Sequence, residues 1–349
     1  MFGSKKLIGL DIGSSSIKIA ELDFSRSGPT LISFGFIPTP PGSINGGEIV
    51  NAEAISAAVR SLIDEVKSRR KHINVGLFGT AVIVKQITIP KIDKKLIAEQ
   101  IKWEAEQYIP FDINSITLAY HLIESRSFGD TMDLLLVAAQ NEIVYQYTNV
   151  VVQTKLNLAC LDVSGFALAN CFEVNYGKNP GQAYVLINIG SSVTNFVGIQ
   201  NGDVTFSRDI PVGGMNYTNE IHKEMGVSIS EAEALKISAV SRGEVPDEVH
   251  SILSATNDVV AEEIRNSFEF FVSSNQGLSI SNLFYSGGAS VMPGLVERIG
   301  SSTGVSLEPI NPFIRTRAKG KWANPTSLQQ ISRFCPVAMG LALRKVGDS

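Results

Sequence analysis

One tetrapeptide occurs twice in the chain. Ile-Gly-Ser-Ser stands at Ile12–Ser15 and again at Ile189–Ser192, 177 residues further on in a chain of 349. Each copy sits in the same setting. Residues 6–23 (KLIGLDIGSSSIKIAELD) and 183–199 (AYVLINIGSSVTNFVGI) both read as strand, tight Gly/Ser turn, strand. A supersecondary unit repeated at half-chain spacing predicts two related α/β halves facing each other. The length allows two cores, and 44% of the residues are hydrophobic.

Charge excludes some partners. The net charge is −4, whereas a nucleic-acid binder carries a basic surplus to offset phosphate repulsion. The densest basic run, Lys67, Arg69, Arg70 and Lys71, closes a helix predicted from Ala52 to Arg70. It reads as a solvated, dipole-favoured C-terminus. Cys160, Cys171 and Cys335 are scattered and odd in number, which fits reduced, buried thiols. The four histidines show no metal-ligand spacing. The N-terminal apolar stretch is broken at Asp11, too early for a signal peptide, and no run approaches the ~20 apolar residues of a spanning helix. If the protein works at a membrane, something else holds it there.

Between the repeats the pattern changes. A Pro/Gly-rich loop (Pro38 to Gly47) precedes the first helix, and residues 73–89 read as strands. Asp93 caps a helix through Tyr108 with Ile97, Ile101, Ala105 and Tyr108 at helical spacing, and Pro110 stops it. Two strands around Phe128-Gly129-Asp130, a helix near 141–156 and the strand LACLDV follow. The order β-α-β-β-α-β predicts a compact subdomain in its own right. After the second hairpin come a turn at Asn201-Gly202-Asp203, the strand VTFSRDI, and helices near 216–225, 229–241 and 256–275. The strand NLFYSGG, a helix from Gly294 and a terminal helix near 335–345 complete the chain.

The first hairpin carries Asp11-Ile12-Gly13-Ser14-Ser15-Ser16-Ile17-Lys18. Gly13 lets the backbone turn so that successive N–H groups face a phosphate. The hydroxyls of Ser14, Ser15 and Ser16 add donors, and Lys18 can reach a phosphate as a point charge. Asp11 can hold the water shell of Mg²⁺. Taken alone, the same residues also make an ordinary hairpin with a salt-bridging Asp. The second turn, Asn188-Ile189-Gly190-Ser191-Ser192, makes the pair a clamp for a triphosphate. Gly213-Gly214 and Gly287-Gly288 close strands before helices, where a base or ribose can lie on bare backbone, though plain turns also favour Gly. Glu233 and Lys236, one helical turn apart, can flank ribose and adenine, while Ser230-x-x-Glu233 also reads as a capping box.

In this order the motifs resemble the actin/Hsp70/sugar-kinase ATPase series over nearly the whole chain. The inserted block resembles subdomain 1C of FtsA. The stretch Gln86–Ile113 is similar to the PilM family of type IV pilus assembly proteins, as are Asp162-Val163…Ala167-Leu168-Ala169, the helix of Ser230–Lys236 and Val337–Ala342. The resemblance implies an actin/Hsp70-like ATPase fold: two lobes with a duplicated α/β core and an FtsA-type 1C insert. Its parts would be subdomain 1A (1–85), subdomain 1C (86–160), a connecting helix (161–182), the second lobe (183–335) and a C-terminal helix returning to the first lobe (336–349). It implies ATP and Mg²⁺ between the lobes, and capture of the N-terminal cytoplasmic peptide of the membrane protein PilN. The protein would then sit in the cytoplasm, peripheral to the inner membrane, within the pilus assembly platform and in reach of its motor ATPases. The peptide groove would be the seam of 1C with the first lobe, walled by Pro90, Ile92, Ile109 and Phe111.

Two positions depart from the series. Its second phosphate turn usually begins with Asp, and here it begins with Asn188, which attracts Mg²⁺-bound water less and cannot take its proton. Where strong hydrolases place Gln or Glu after LACLDV, this chain has Ser164-Gly165-Phe166, with Asp162 close in sequence. Asp11 and Asn188 are therefore candidates near metal and water, and ATPase activity is expected to be weak at most. Three rival readings differ in what they require. A sugar or acetate kinase would need a catalytic base and a substrate pocket where the insert stands. An FtsA-type division scaffold attaches by a C-terminal amphipathic helix, whereas this sequence stops at Lys345–Ser349. An Hsp70 chaperone would need a further peptide-binding domain.

Overall fold

The structure, a computed structural model, describes residues 6–123, 129–275 and 278–344. In the first half, β1 (Leu7–Ile12), β2 (Ser16–Ser25) and β3 (Gly28–Pro38) run antiparallel. The Pro/Gly loop follows, with the two-residue strands β4 (Ile44–Asn45) and β5 (Glu48–Ile49). Then come α1 (Ala52–Glu65), β6 (His72–Leu77), β7 (Val82–Pro90), α2 (Lys94–Tyr108), β8 (Ile116–Leu122), β9 (Thr131–Gln140), α3 (Asn141–Gln153), β10 (Asn157–Val163) and α4 (Ser164–Tyr176). The second half holds β11 (Ala183–Ile189), β12 (Thr194–Gln200), β13 (Asp203–Ile210), α5 (Gly214–Met225), α6 (Ile229–Val240), α7 (Asp247–Ser273), β14 (Ile280–Ser286) and α8 (Leu295–Thr303). It ends with β15 (Leu307–Pro309), β16 (Arg317–Ala318), α9 (Pro325–Ile331) and α10 (Pro336–Leu343).

The sequence repeat is a repeat of sheets. One sheet has the order β10-β6-β1-β2-β3-β16 and the other β15-β14-β11-β12-β13. In each, the hairpin and its third strand are antiparallel, and the inner neighbour (β6 or β14) joins parallel. Strands buried on both faces read as apolar runs: Ile8, Leu10 and Ile12 in one sheet and Val185, Leu186 and Ile187 in the other are fully buried. The chain then crosses back. α10 lies on α4 and β1, close enough that a Cβ on Gly340 would come within 1.7 Å of the Ala167 carbonyl oxygen.

Several expectations need correction. The β-α-β-β-α-β order is present, but it does not close on itself. Among the described residues the small sheet is β7, β9 and β8, covered by α2, while β10 joins the first large sheet and α3 packs into its core through Ile143, Tyr147 and Val150. On α2, Ile97, Ile101 and Ala105 are buried as expected, whereas Tyr108, at the helix end, is exposed. α1 stops at Glu65, and Lys67 takes the left-handed conformation, φ 54°. The basic run beyond it is not all solvated. Arg70 is half-buried and grips Glu21 at 3.2 Å and Asp23 at 3.0 Å. α7 starts nine residues before its predicted position, because Pro246 precedes an acidic first turn of Asp247 and Glu248 that suits a helix N-terminus. The predicted turn at 128–130 is described only for Gly129 and Asp130, and residues 345–349 lie outside the described residues. Among the described residues no helix is long and apolar enough to cross a membrane.

Candidate nucleotide site

The two Gly/Ser turns have the same internal geometry. Gly13 N–H donates to Ser16 O at 3.1 Å, and Gly190 N–H donates to Val193 O at 3.0 Å. A Cβ would lie 2.9 Å from Ser16 O at the first glycine and 2.6 Å from Val193 O at the second, so each turn needs a residue with no side chain. The turns meet across the cleft: Ser14 Oγ and Ser192 Oγ are 2.6 Å apart. Thr39, just past β3, braces the first turn by donating from its hydroxyl to Gly13 O and from its N–H to Ser15 O. The start of α5 braces the second, with Gly214 N–H on Gly190 O and Met215 N–H on Ser191 O. Lys18 lies opposite Asp11 in the hairpin register and holds it at 3.0 Å.

A cavity of about 500 Å³ opens behind the turns. It is lined by Asp11, Gly13–Ser16, Lys18, Asn188, Gly190–Ser192, Gly214, Glu233, Lys236, Gly287 and Gly288. The structure thus brings together nearly all the residues singled out for nucleotide. Gly213 stands beside the cavity and is pinned to the second turn, because a Cβ there would be 2.5 Å from Gly190 O. Gly287 has φ +96° and would strike Ile189 O, whereas a Cβ on Gly288 would meet nothing within 4 Å.

The capping box lies two residues earlier than read from sequence. Ser228 caps α6, and Glu231 returns the bond to the Ser228 N–H at 2.8 Å. Glu233 is therefore not part of the cap. It accepts from Thr218 at 2.5 Å and from Lys236 at 2.6 Å, and Lys236 also donates to Gly214 O at 3.1 Å. Lys236 is buried and ties α6 to the N-terminus of α5, while the Glu233 side chain stays 43% exposed at the cavity wall.

Beneath the second turn runs a polar chain that sequence reasoning missed. Ser286 Oγ donates to Asn188 Oδ1 (3.1 Å), Asn188 Nδ2 to Asn195 Oδ1 (2.9 Å), and Asn195 Nδ2 to Asp209 Oδ1 (2.7 Å). The other Asp209 oxygen accepts the Gly79 N–H at 2.6 Å. Gly79 lies between β6 and β7, so the bond joins the second lobe to the first. Desolvation pushes the Asp209 carboxyl up to about 6, against the two donors that stabilise its charge. Only the strand period could have flagged Asn195, two residues from each of two inward positions, and nothing local flagged Asp209. Asp162, by contrast, does not line the cavity. It is buried on the edge strand β10, 3.5 Å from Arg344, and burial raises its pKa. Ser164 does line it, and its buried hydroxyl has no hydrogen-bond partner among the described residues.

The four residues named for a peptide groove are placed differently from one another. Ile109 is buried in the core of the small sheet, with Ile92 and Phe111 half-buried against it, and Pro90 is exposed. Pro90 pairs with Thr131 at the far end of the small sheet, while β8, just after Phe111, starts opposite Gln140 beside the first lobe. Pro90 and Ile92 therefore lie at one end of α2 and Ile109 and Phe111 at the other, about 22 Å apart along a 15-residue helix.

Two lobes of duplicated topology, each offering a Gly/Ser turn to one cleft, define the class: this is an actin-like ATPase fold. Among solved structures it matches MreB5 of Spiroplasma citri bound to ADP, with TM-score 0.51, 12% identity and coverage of 89% of this chain and 93% of that one. The sequence model of the family "Type IV pilus assembly protein PilM" matches residues 9–346, and the chain belongs to that family. A solved PilM-PilN type IV pilus biogenesis complex is similar with TM-score 0.87 and 27% identity, over 98% of this chain and 99% of that one. Cell division protein FtsA of Bacillus subtilis (strain 168) is 22% identical over 261 residues, 68% of this chain but only 58% of FtsA itself.

Proposed function

We propose that the protein is a nucleotide-binding scaffold of type IV pilus assembly, which holds Mg-ATP between its lobes and the N-terminal cytoplasmic peptide of PilN on its small-sheet side. The observation that carries the nucleotide reading is the Ser14–Ser192 contact, which puts two phosphate-type turns face to face. The residues fit the ligand. Ser164 presents a hydroxyl without a partner among the described residues, Gly288 leaves backbone bare, and Lys18 supplies a cation. Ser14 and Ser192 would exchange their mutual bond for phosphate oxygens, and Asp11 would meet Mg²⁺ through water. Bound Mg²⁺ would neutralise phosphate charge.

Slow turnover follows from Asn188. Both ends of its amide are committed within the protein, and neither can accept a proton from water. The protein would then act by shape and occupancy, in the cytoplasm at the inner-membrane platform, tethered through PilN. Calorimetry with Mg-ATP tests the reading. One site is expected, with little steady-state hydrolysis. Lys18→Ala should weaken affinity by about 1.5–3 kcal/mol, the loss of one charge-assisted contact. Unchanged affinity would place the nucleotide elsewhere.

A further inference from the structure

The polar chain under the second phosphate turn has a direction, and one residue sets it. At neutral pH Asp209 is ionised and accepts only. Asn195 must therefore turn its Nδ2 toward Asp209, at 2.7 Å, and its Oδ1 toward Asn188. Asn188 in turn gives Asn195 its Nδ2 and keeps its Oδ1 for the Ser286 hydroxyl. The far oxygen of Asp209 is held by a backbone N–H that can only donate, Gly79 at 2.6 Å. Gly79 is fixed in turn. It has φ +103°, a Cβ on it would lie 2.2 Å from Gly46 O, and its carbonyl accepts the Val82 N–H that opens β7. Ala81 O also accepts from Gln140 N–H, where β9 leaves the small sheet. The chain thus enters the small sheet from this turn and leaves it hydrogen-bonded to the same turn.

We propose that Asp209 is a positioning residue coupling the nucleotide cleft to the root of the small subdomain: its carboxylate dictates which way the Asn188 amide faces and, through the Gly79 N–H, latches that root to the second lobe. The proposal rests on the nucleotide reading above for its ligand, and on the four hydrogen bonds alone for its direction. It accounts for the amide at position 188. A carboxylate there would face Asn195 Oδ1, and Asn195 has one donor end for two acid neighbours. The pair Asn188 and Asp209 keeps the chain satisfied. The double substitution N188D/D209N, which exchanges acid and amide between the two positions, would satisfy it equally, with the Asn195 amide turned round. A relative movement of the lobes as nucleotide enters would strain the Asp209–Gly79 bond and so reach the small sheet.

Two measurements test this. In the first, thermal unfolding without nucleotide is compared for wild type, N188D, D209N and N188D/D209N. N188D should lower Tm by about 5 °C or more when Asp209 is present and by less than about 1 °C when position 209 carries an amide. Equal shifts in both backgrounds would overturn the directional chain. In the second, amide hydrogen exchange at Gly79–Val82 is followed with and without Mg-ATP. Nucleotide should change exchange there by about fivefold or more in wild type and by less than about twofold in D209A that still binds Mg-ATP by calorimetry. The same nucleotide-dependent change in both proteins would overturn the coupling. If D209A does not fold, Asp209→Ser, too short to reach Gly79, replaces it. If wild type binds no nucleotide, the reading of the cleft fails, the coupling fails with it, and the unfolding cycle alone judges the direction of the chain.

Discussion

Arg70 shows how much one half-buried cation can hold. Its guanidinium reaches Glu21 at 3.2 Å and Asp23 at 3.0 Å, and its Nη1 donates to the carbonyls of Leu7 and Leu22. Glu21, which also accepts from the Ser68 hydroxyl, is itself buried. Removing Arg70 leaves that carboxylate without a cation in a poorly solvated place. Arg70→Ala should therefore cost about 3–5 kcal/mol in urea unfolding, and Lys, a point charge without the fork, should restore only part of it. Asp209 acts with the opposite sign, since among the described residues no cation is bonded to it and burial raises its pKa from 3.8 to about 6. Between pH 4 and 6 the folded state holds a proton that the unfolded state has released. Stability from this group therefore falls as pH rises across that window, by at most about 3 kcal/mol, and is flat above it. Urea midpoints measured from pH 4 to 7 should show this fall, and Asp209→Asn should remove it. Neither residue was legible in sequence. Arg70 stands in a run that looks like a solvated helix end, and Asp209 becomes special only because Gly79 arrives from 130 positions away.

At the scale of elements, what was legible was whatever is local. The two hairpins are plain in the sequence because a Gly-Ser turn between apolar strands is set within a few residues. The Asn201-Gly202 turn is of the same kind, with φ 57° and +87°. Helix α2 is equally plain with its cap, since Asp93 Oδ1 accepts the Lys95 N–H at 3.1 Å. The cap of α6 is ambiguous because VSISEAE contains two overlapping Ser-x-x-Glu frames. The winning frame, at Ser228, leaves Glu233 for Thr218 and Lys236. α3 and β10 fall in a different unit from the one their order suggests, because sequence order says nothing about which sheet edge is free to receive a strand. The returning helix, α10, depends on absent side chains. A Cβ on Gly9 would be 2.0 Å from Ala338 O, and one on Gly340 would be 1.7 Å from Ala167 O. Gly340→Ala has to push α10 off α4, with an expected loss of roughly 3 kcal/mol or more, at the upper end of overpacking. A lowered unfolding temperature in calorimetry, with the same fold by far-UV dichroism, is the expected reading.

For the whole molecule, the layout of the small sheet decides how its role can be isolated. Removing residues 86–160 would take away α3 and more than half of β10, and with them Tyr147, Val150 and the integrity of the first sheet's edge strand, so loss of any function would mean only unfolding. The structure offers a cleaner cut. Val82 pairs with Ala139, and Gln140 N–H reaches Ala81 O at 3.1 Å, so the chain enters and leaves the small sheet at one point. Replacing residues 83–138 by Gly-Gly should close that point as a tight turn and leave both large sheets intact. The small sheet has its own core, centred on Ile87, Ile97, Ile101 and Leu134, so little of the main cores is lost with it. The trimmed protein should unfold cooperatively and bind Mg-ATP within about threefold of wild type, if the phosphate turns carry that affinity. In a fluorescence titration with a PilN N-terminal peptide, the intact protein should bind and the trimmed one should not. Because Pro90 and Ile92 lie a helix length from Ile109 and Phe111, single substitutions also map the peptide's course. Loss at Phe111 but not at Ile92 puts the peptide at the junction with the first lobe. Loss at both means an extended peptide running along α2, its backbone pairing with a strand edge as it goes. Undiminished binding by the trimmed protein would remove the small sheet from partner capture and leave the large lobes as the docking surface.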